Sequence, residues 1–128
     1  MSANTVNYNE LIDRFVALWN EPDPQARRKL VDELWAEDGT YVNRLFTAQG
    51  RDLIDNVIAT AHKDYVAKGF SFKSSSNANA HHNGITFTWV LVCSATGEVD
   101  TFCEDFIILD DRGQIALDYQ FGLRTPPI

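Results

Sequence analysis

A chain of 128 residues, 45% hydrophobic and 12% aromatic, is the size of one ordinary domain and apolar enough to bury a core. Its net charge of −7 argues against a nucleic-acid backbone or an anionic membrane surface as the main partner. No run approaches the roughly 20 apolar residues of a membrane span, and the first residues lack the basic and apolar regions of a signal peptide, so a cytoplasmic location is expected.

Tyr8, Leu11, Ile12, Phe15, Val16, Leu18 and Trp19 follow helical spacing and predict an amphipathic first helix. Asp23 is a natural N-cap and Pro24 suits a first turn, so a second helix is expected to run to about Trp35, with Gly39 marking the exit. A β-type run over 40–46 leads to Gly50-Arg51-Asp52. There Leu53, Ile54, Val57, Ile58, Ala61 and Tyr65 predict a third helix lasting until Gly69. Arg51 at its start could bind an anion at the helix N-terminus, but Gly50-Arg51-Asp52 reads more simply as a helix start with a surface ion pair.

After Gly69 the period changes. Phe70 and Phe72 alternate with polar residues, 74–79 reads as a polar edge or bulged strand, and Asn83-Gly84 is a hairpin turn. Residues 85–92, 98–109 and 114–123 then read as strands. Helices followed by an antiparallel meander imply an α+β fold, with three N-terminal helices on one face of a curved sheet. The first few residues and 125–128 read as loose ends. Cys93 is expected opposite Val99 and Cys103 opposite Trp89, which predicts two core thiols and no disulfide. His81 and His82 are adjacent on a strand and should point to opposite faces, so they and His62 predict no metal site.

The last hairpin carries the most chemical information. Folding it about Asp110-Asp111-Arg112-Gly113 pairs Leu109 with Gln114 and sets Asp105 directly opposite Asp118. On a buried face, two like charges call for a proton, a cation or a polar ligand between them. Two alternatives stand beside this reading. Asp118 could lie at an open end, solvated or paired with Arg44 or Arg51, and a one-residue bulge at Gly113 would pair Asp105 with Tyr119 instead. Alternation puts Thr101, Cys103, Asp105 and Ile107 on one side of their strand, with Phe87, Trp89 and Leu91, and Ala116, Asp118 and Gln120, on the same side of its neighbours. Thr86, Thr88, Val90 and Val92, with Phe102 and Phe106, form the outer face.

The order of helix, helix, the passage 36–43, the Gly50-Arg51-Asp52 helix and four long strands resembles the nuclear transport factor 2-like superfamily, including its SnoaL-like proteins. The resemblance covers about residues 8–122, the core of a single SnoaL-like domain over 1–128. It implies a cone-shaped, cystatin-like α+β barrel with an apolar pocket at the open end, and homodimers formed through the outer sheet face. Ketosteroid isomerase, a member, uses a tyrosine and a neutral aspartic acid as donors with an aspartate base. Asp105 matches the donor acid, while Phe15 stands at the tyrosine position and Asn43 at the base position. Tyr41 and Asn43 resemble the Tyr-x-Asn pair of limonene epoxide hydrolase; its Arg-x-Asp falls on Phe87 and Trp89, and its last-strand aspartate near Gln120. Polyketide cyclases need a single pocket aspartate, a part open to Asp105 or Asp118.

The pocket side implied by the resemblance presents Asp105 and Asp118 as candidate catalytic residues. Phe15, Trp19, Tyr41, Asn43, Phe87, Trp89, Cys103 and Gln120 are the candidate ligand-binding residues. A small hydrophobic organic molecule is the expected partner, and proton transfer by side chains requires no cofactor. An isomerase, cyclase or hydratase-type reaction fits; a binding or protein-interaction module without chemistry is the alternative.

Overall fold

A computed structural model describes residues 7–123; the expected loose ends, 1–6 and 124–128, lie outside the described residues. Helix α1 spans Tyr8–Asn20, with the Asn7 side chain accepting the Glu10 N–H at 3.0 Å as N-cap. Helix α2, Pro24–Leu34, starts as expected on Asp23, which accepts the Ala26 N–H. It ends one residue before the predicted limit. Trp35, completely buried, turns extended and opens strand β1, Trp35–Val42. Gly39 therefore lies inside a strand rather than at a helix exit. Its missing side chain allows a close approach: a Cβ there would stand 2.8 Å from the Trp35 ring and 2.9 Å from the Ile115 carbonyl.

Strand β2, Thr47–Gln49, folds back on β1, and Gly50, at φ 92°, leads into α3, Arg51–Asp64. The α-helix stops short of Gly69 because its continuation tightens into a 3-10 turn, Val66–Lys68, closed by Gly69 in the left-handed region. Arg51 is bound inward more than outward. Its Nε and Nη2 both donate to the Trp35 carbonyl, at 3.0 and 2.8 Å, tying the start of α3 to the end of α2.

The remaining strands are β3 (Phe70–Ser74), β4 (Asn79–His81), β5 (Gly84–Cys93), β6 (Val99–Leu109) and β7 (Ile115–Leu123). All seven form one open sheet in the order β2-β1-β7-β6-β5-β3, with β4 also on β5. The long strands form the expected meander, and β1 adds a parallel pairing with β7 that the chain order did not suggest. Ile12, Phe15 and Leu18 of α1, Ile54 and Ile58 of α3, and Ile85, Phe87 and Ile107 of the sheet form the buried core between layers.

The β6–β7 register departs from the simple hairpin. Asp110 closes a wider turn, accepting the N–H groups of Arg112 and Gln114 on its side chain, so Leu109 pairs with Ile115. Ala116 then bulges, and Ile108 pairs with Leu117. Two single-residue shifts keep the facing of β7 beyond the bulge. Asp118 stays on the side of Asp105 but lies opposite Ile107, while Asp105 faces Gln120. Ala116 is replaced on the inner face by Ile115, which is buried. A similar shift near Asp100 sets Val99 opposite Val92 rather than Cys93, while Cys103 faces Trp89 as expected, and neither cysteine forms a disulfide.

At the end of α1 the Asn20 side chain behaves like a piece of backbone. It donates to the Phe72 carbonyl and accepts from the Phe72 N–H, both at 2.8 Å, covering the free edge of β3. Asn20→Ala leaves both groups of a part-buried strand without these partners. It is expected to cost about 1–3 kcal/mol in urea denaturation; an unchanged midpoint would show the clamp to be dispensable.

Candidate functional site

Between α1, α3 and the inner face of the sheet lies a cavity of about 700 Å³. Phe15 and Trp19 of α1, Leu53 and Val57 of α3, and Phe72 and Trp89 of the sheet supply apolar wall. Tyr41, Asn43, Cys103, Asp105 and Gln120 are polar points on the same wall. Two residues expected there stand elsewhere. Phe87 is buried behind the wall with its ring edge-on to Phe15, centroids 5.7 Å apart, because its strand position lies deeper in the core than Trp89. Asp118 is fully buried and also absent from the wall, so it is neither at the open end nor paired with Arg44 or Arg51.

Asp105, 2% exposed, is thus the buried carboxylate that a ligand can touch. Trp89 Nε1–H donates to its Oδ1 at 2.7 Å. From behind, the Asp118 carboxyl comes within hydrogen-bonding reach of Asp105. Two carboxylates cannot bond each other without a proton, and among the described residues no other group donates to either Asp118 oxygen. Burial raises both acids above the usual carboxylate range. Asp118 is raised further, because the charge of Asp105 adds to its burial, while hydrogen bonds from Asp118 and Trp89 pull Asp105 back down. The proton this contact requires therefore sits on Asp118, the more strongly raised of the two, facing an Asp105 that Trp89 helps to hold.

Beside this pair Tyr41 donates to Gln120 Oε1 at 3.0 Å and accepts from Asn43 Nδ2 at 3.4 Å. The Asn43 oxygen accepts the N–H groups of Leu45 and Phe46, at 2.9 and 3.0 Å. Gln120 Nε2 in turn reaches the Cys103 sulfur at 3.7 Å. Burial holds the Tyr41 phenol well above its ordinary value, so it stays neutral and keeps its hydrogen.

Sequence reasoning missed the α3 and loop side of the cavity. The α3 stripe is visible as periodicity, yet Ile54 and Ile58 enter the core while Leu53, Val57 and Ala61 line the cavity, a division set by the tilt of the helix on the sheet. Leu45 and Phe46, also on the wall, sit in the β1–β2 loop, which has no periodicity to read. The histidine expectation also needs correction. His82 adopts φ 53°, which breaks strand alternation and brings the two Nδ1 atoms to 3.1 Å. Among the described residues no cluster of three or more metal-ligating side chains forms, and no helix is long and apolar enough to cross a membrane.

No protein-family model and no curated protein matches this chain. Solved structures do resemble it. A candidate isomerase of the SnoaL-like family from Agrobacterium tumefaciens str. C58 superposes with a TM-score of 0.82 at 28% identity, over 90% of this chain and 96% of that one. A candidate SnoaL-like polyketide cyclase from Jannaschia sp. CCS1 gives 0.73 at 12% identity, over 95% and 90%. A nuclear transport factor 2-like protein of unknown function from Exiguobacterium sp. 255-15 gives 0.71 at 17%, over 90% and 99%. The last two share the fold alone.

The folded chain holds on Asp118 a proton that the unfolded chain releases near pH 4, so ionisation of Asp118 opposes folding. Stability should decline as pH rises from about 4 towards the raised folded value, by up to about 1.4 kcal/mol per pH unit for one group. Asp118→Asn retains the shape and an N–H donor but does not titrate. Its stability relative to wild type is expected to climb with pH over that window in urea denaturation; parallel curves would refute the placement of the proton.

Proposed function

We propose that this chain, a SnoaL-like protein of the nuclear transport factor 2-like superfamily, binds a small, largely apolar organic molecule in its cavity and moves a proton on it with Asp105. The observation that carries this reading is one buried carboxyl group, Asp105, on an otherwise mostly apolar wall, held by the Trp89 N–H and backed by a second carboxyl group, Asp118, behind it. Burial strips Asp105 of water and raises its basicity, and the Asp118 and Trp89 hydrogen bonds aim it. Asp105 is then the catalytic residue. Asp118 is a positioning residue that tunes it. An isomerisation, cyclisation or hydration that begins by removing a C–H or O–H proton suits this arrangement, and side chains alone can perform it without a cofactor.

A binding module without chemistry is the second reading. It is favoured by the closed state of the pair, in which Trp89 and Asp118 already satisfy Asp105. The two readings part at Asp105→Asn. For any substrate found by screening neutral apolar compounds for turnover, this variant is expected to lose about 10²–10⁴-fold in rate. Asp118→Leu, which removes the donor that lowers the basicity of Asp105, should shift the acid limb of the pH–rate profile to higher pH. Undiminished turnover by Asp105→Asn would remove the catalytic assignment.

The same reading pairs two copies through the outer sheet face. Tyr119 and Phe121 stack there with centroids 6.2 Å apart and stand 40% and 53% exposed, a costly state for aromatic rings on an isolated chain. Sedimentation equilibrium is expected to give twice the mass of one chain, and Tyr119→Glu with Phe121→Glu to halve it. A monomeric wild type would refute the pairing.

A further inference from the structure

The hairpin that joins β4 to β5 carries the two adjacent histidines, His81 and His82, neither of which lines the cavity. Gly84 already pairs with His81, so the turn is made by His82 and Asn83, one residue earlier than the Asn83-Gly84 pattern suggests. The end of β6 fixes it in place. The Asn83 carbonyl accepts the Leu109 N–H at 2.9 Å, and Asn83 Nδ2 donates to the Leu109 carbonyl at 3.3 Å. The bare Gly84 backbone packs on the Phe106 ring, which lies 3.1 Å from where a Cβ would stand. A positive φ in such a turn ordinarily falls to glycine or asparagine. Here His82 adopts it, at φ 53°, and its ring swings to the side of His81. The two rings meet edge to edge, with centroids 5.3 Å apart, planes at 86° and Nδ1 atoms 3.1 Å apart. Both residues are exposed.

We propose that His81 and His82 form a two-nitrogen chelate for a divalent transition-metal ion, bound through both Nδ1 atoms. Two imidazole nitrogens in contact hold one hydrogen between them, and a metal ion can take its place by accepting both lone pairs. Metal–nitrogen bonds of about 2.0–2.1 Å set two ligand nitrogens roughly 2.9–3.4 Å apart, from right-angled to tetrahedral arrangements, and 3.1 Å falls within that span. A modest rotation of each exposed ring turns the lone pairs from each other onto a common point. Each Nε2 then carries its hydrogen and faces water. Among the described residues no third metal-ligating side chain joins the pair, so water fills the other positions. Hard ions such as magnesium and calcium prefer oxygen ligands, whereas nitrogen ligands hold copper(II) more tightly than nickel(II) or zinc(II). The net charge of −7 favours the approach of a cation. Because the turn is held by β6 before any ion arrives, the second nitrogen meets the metal at high effective concentration, and the pair binds better than either ring alone.

Calorimetric titration of the full chain with copper(II) and nickel(II), in a buffer that does not ligate metals, tests the site. One copper ion per chain is expected, held more tightly than nickel. His81→Ala and His82→Asn should each weaken copper binding by about 10²-fold, the loss that follows when a chelate becomes a single ligand. Both side chains are exposed and asparagine suits a positive φ, so both variants keep the fold. The chain has three histidines, which gives an internal control. In NMR spectra with zinc(II), the ring signals of His81 and His82 should move together while those of His62 stay in place, and the nitrogen-15 shifts should put the metal on Nδ1. Copper affinity unchanged in either variant, a zinc complex in which only one of the two rings moves, or failure of copper to bind wild type would overturn the chelate.

Discussion

Burying Asp105 and Asp118 side by side is the constraint on which the rest of the site depends. Moving one ion out of water costs several kcal/mol even after the protein relaxes, and two like charges in contact would cost more. A shared proton relieves that cost while leaving one charge, and the geometry decides where the charge sits. Asp105 has the Trp89 donor and the cavity; Asp118 has neither. The same pairing that makes the two acids expensive to bury therefore leaves the member with the Trp89 donor, Asp105, on the cavity wall.

Holding that geometry requires strands that cannot slide. The Asp110 turn and the Ala116 bulge pin β7 against β6, and the parallel contact with β1 sets Tyr41 beside Asp118. The helices are tied on at separate points, α1 by Asn20 on the edge of β3 and α3 by Arg51 on the Trp35 carbonyl. Phe15 connects these layers, packing against both Trp35 and Phe87 with centroids 6.4 and 5.7 Å apart. A frame tied at these points around a mostly apolar cavity suits an apolar ligand, since the cavity is already formed by the fold.

Much of this frame was legible from residue pattern. The three helices followed from apolar spacing and from Asp23-Pro24, the long strands from alternation and Asn83-Gly84. The inner-face identities of Cys103, Asp105 and Trp89 follow from the two-residue period of a strand. What alternation could not supply was register. A pairing of Asp105 with Asp118, with Tyr119 or with Gln120 costs local sequence little to change, and the third pairing arises from a turn and a bulge whose shifts add. Likewise Trp35 continues the apolar pattern of α2 but is drawn into β1, since a parallel partner from the far end of the chain is available to it.

By itself, then, the sequence determined the elements, the acidic pair on one face of the sheet and the apolar character of what surrounds it, because periodicity and turn chemistry are local properties. Only the tertiary structure decided that Asp105 meets the cavity while Asp118 stands behind it, that Phe87 belongs to the core, and that Asn43, Tyr41 and Gln120 form one directed chain. Those outcomes depend on how strands from distant parts of the chain align. A shift of one or two residues in that alignment moves a carboxylate between contact with a ligand and complete burial.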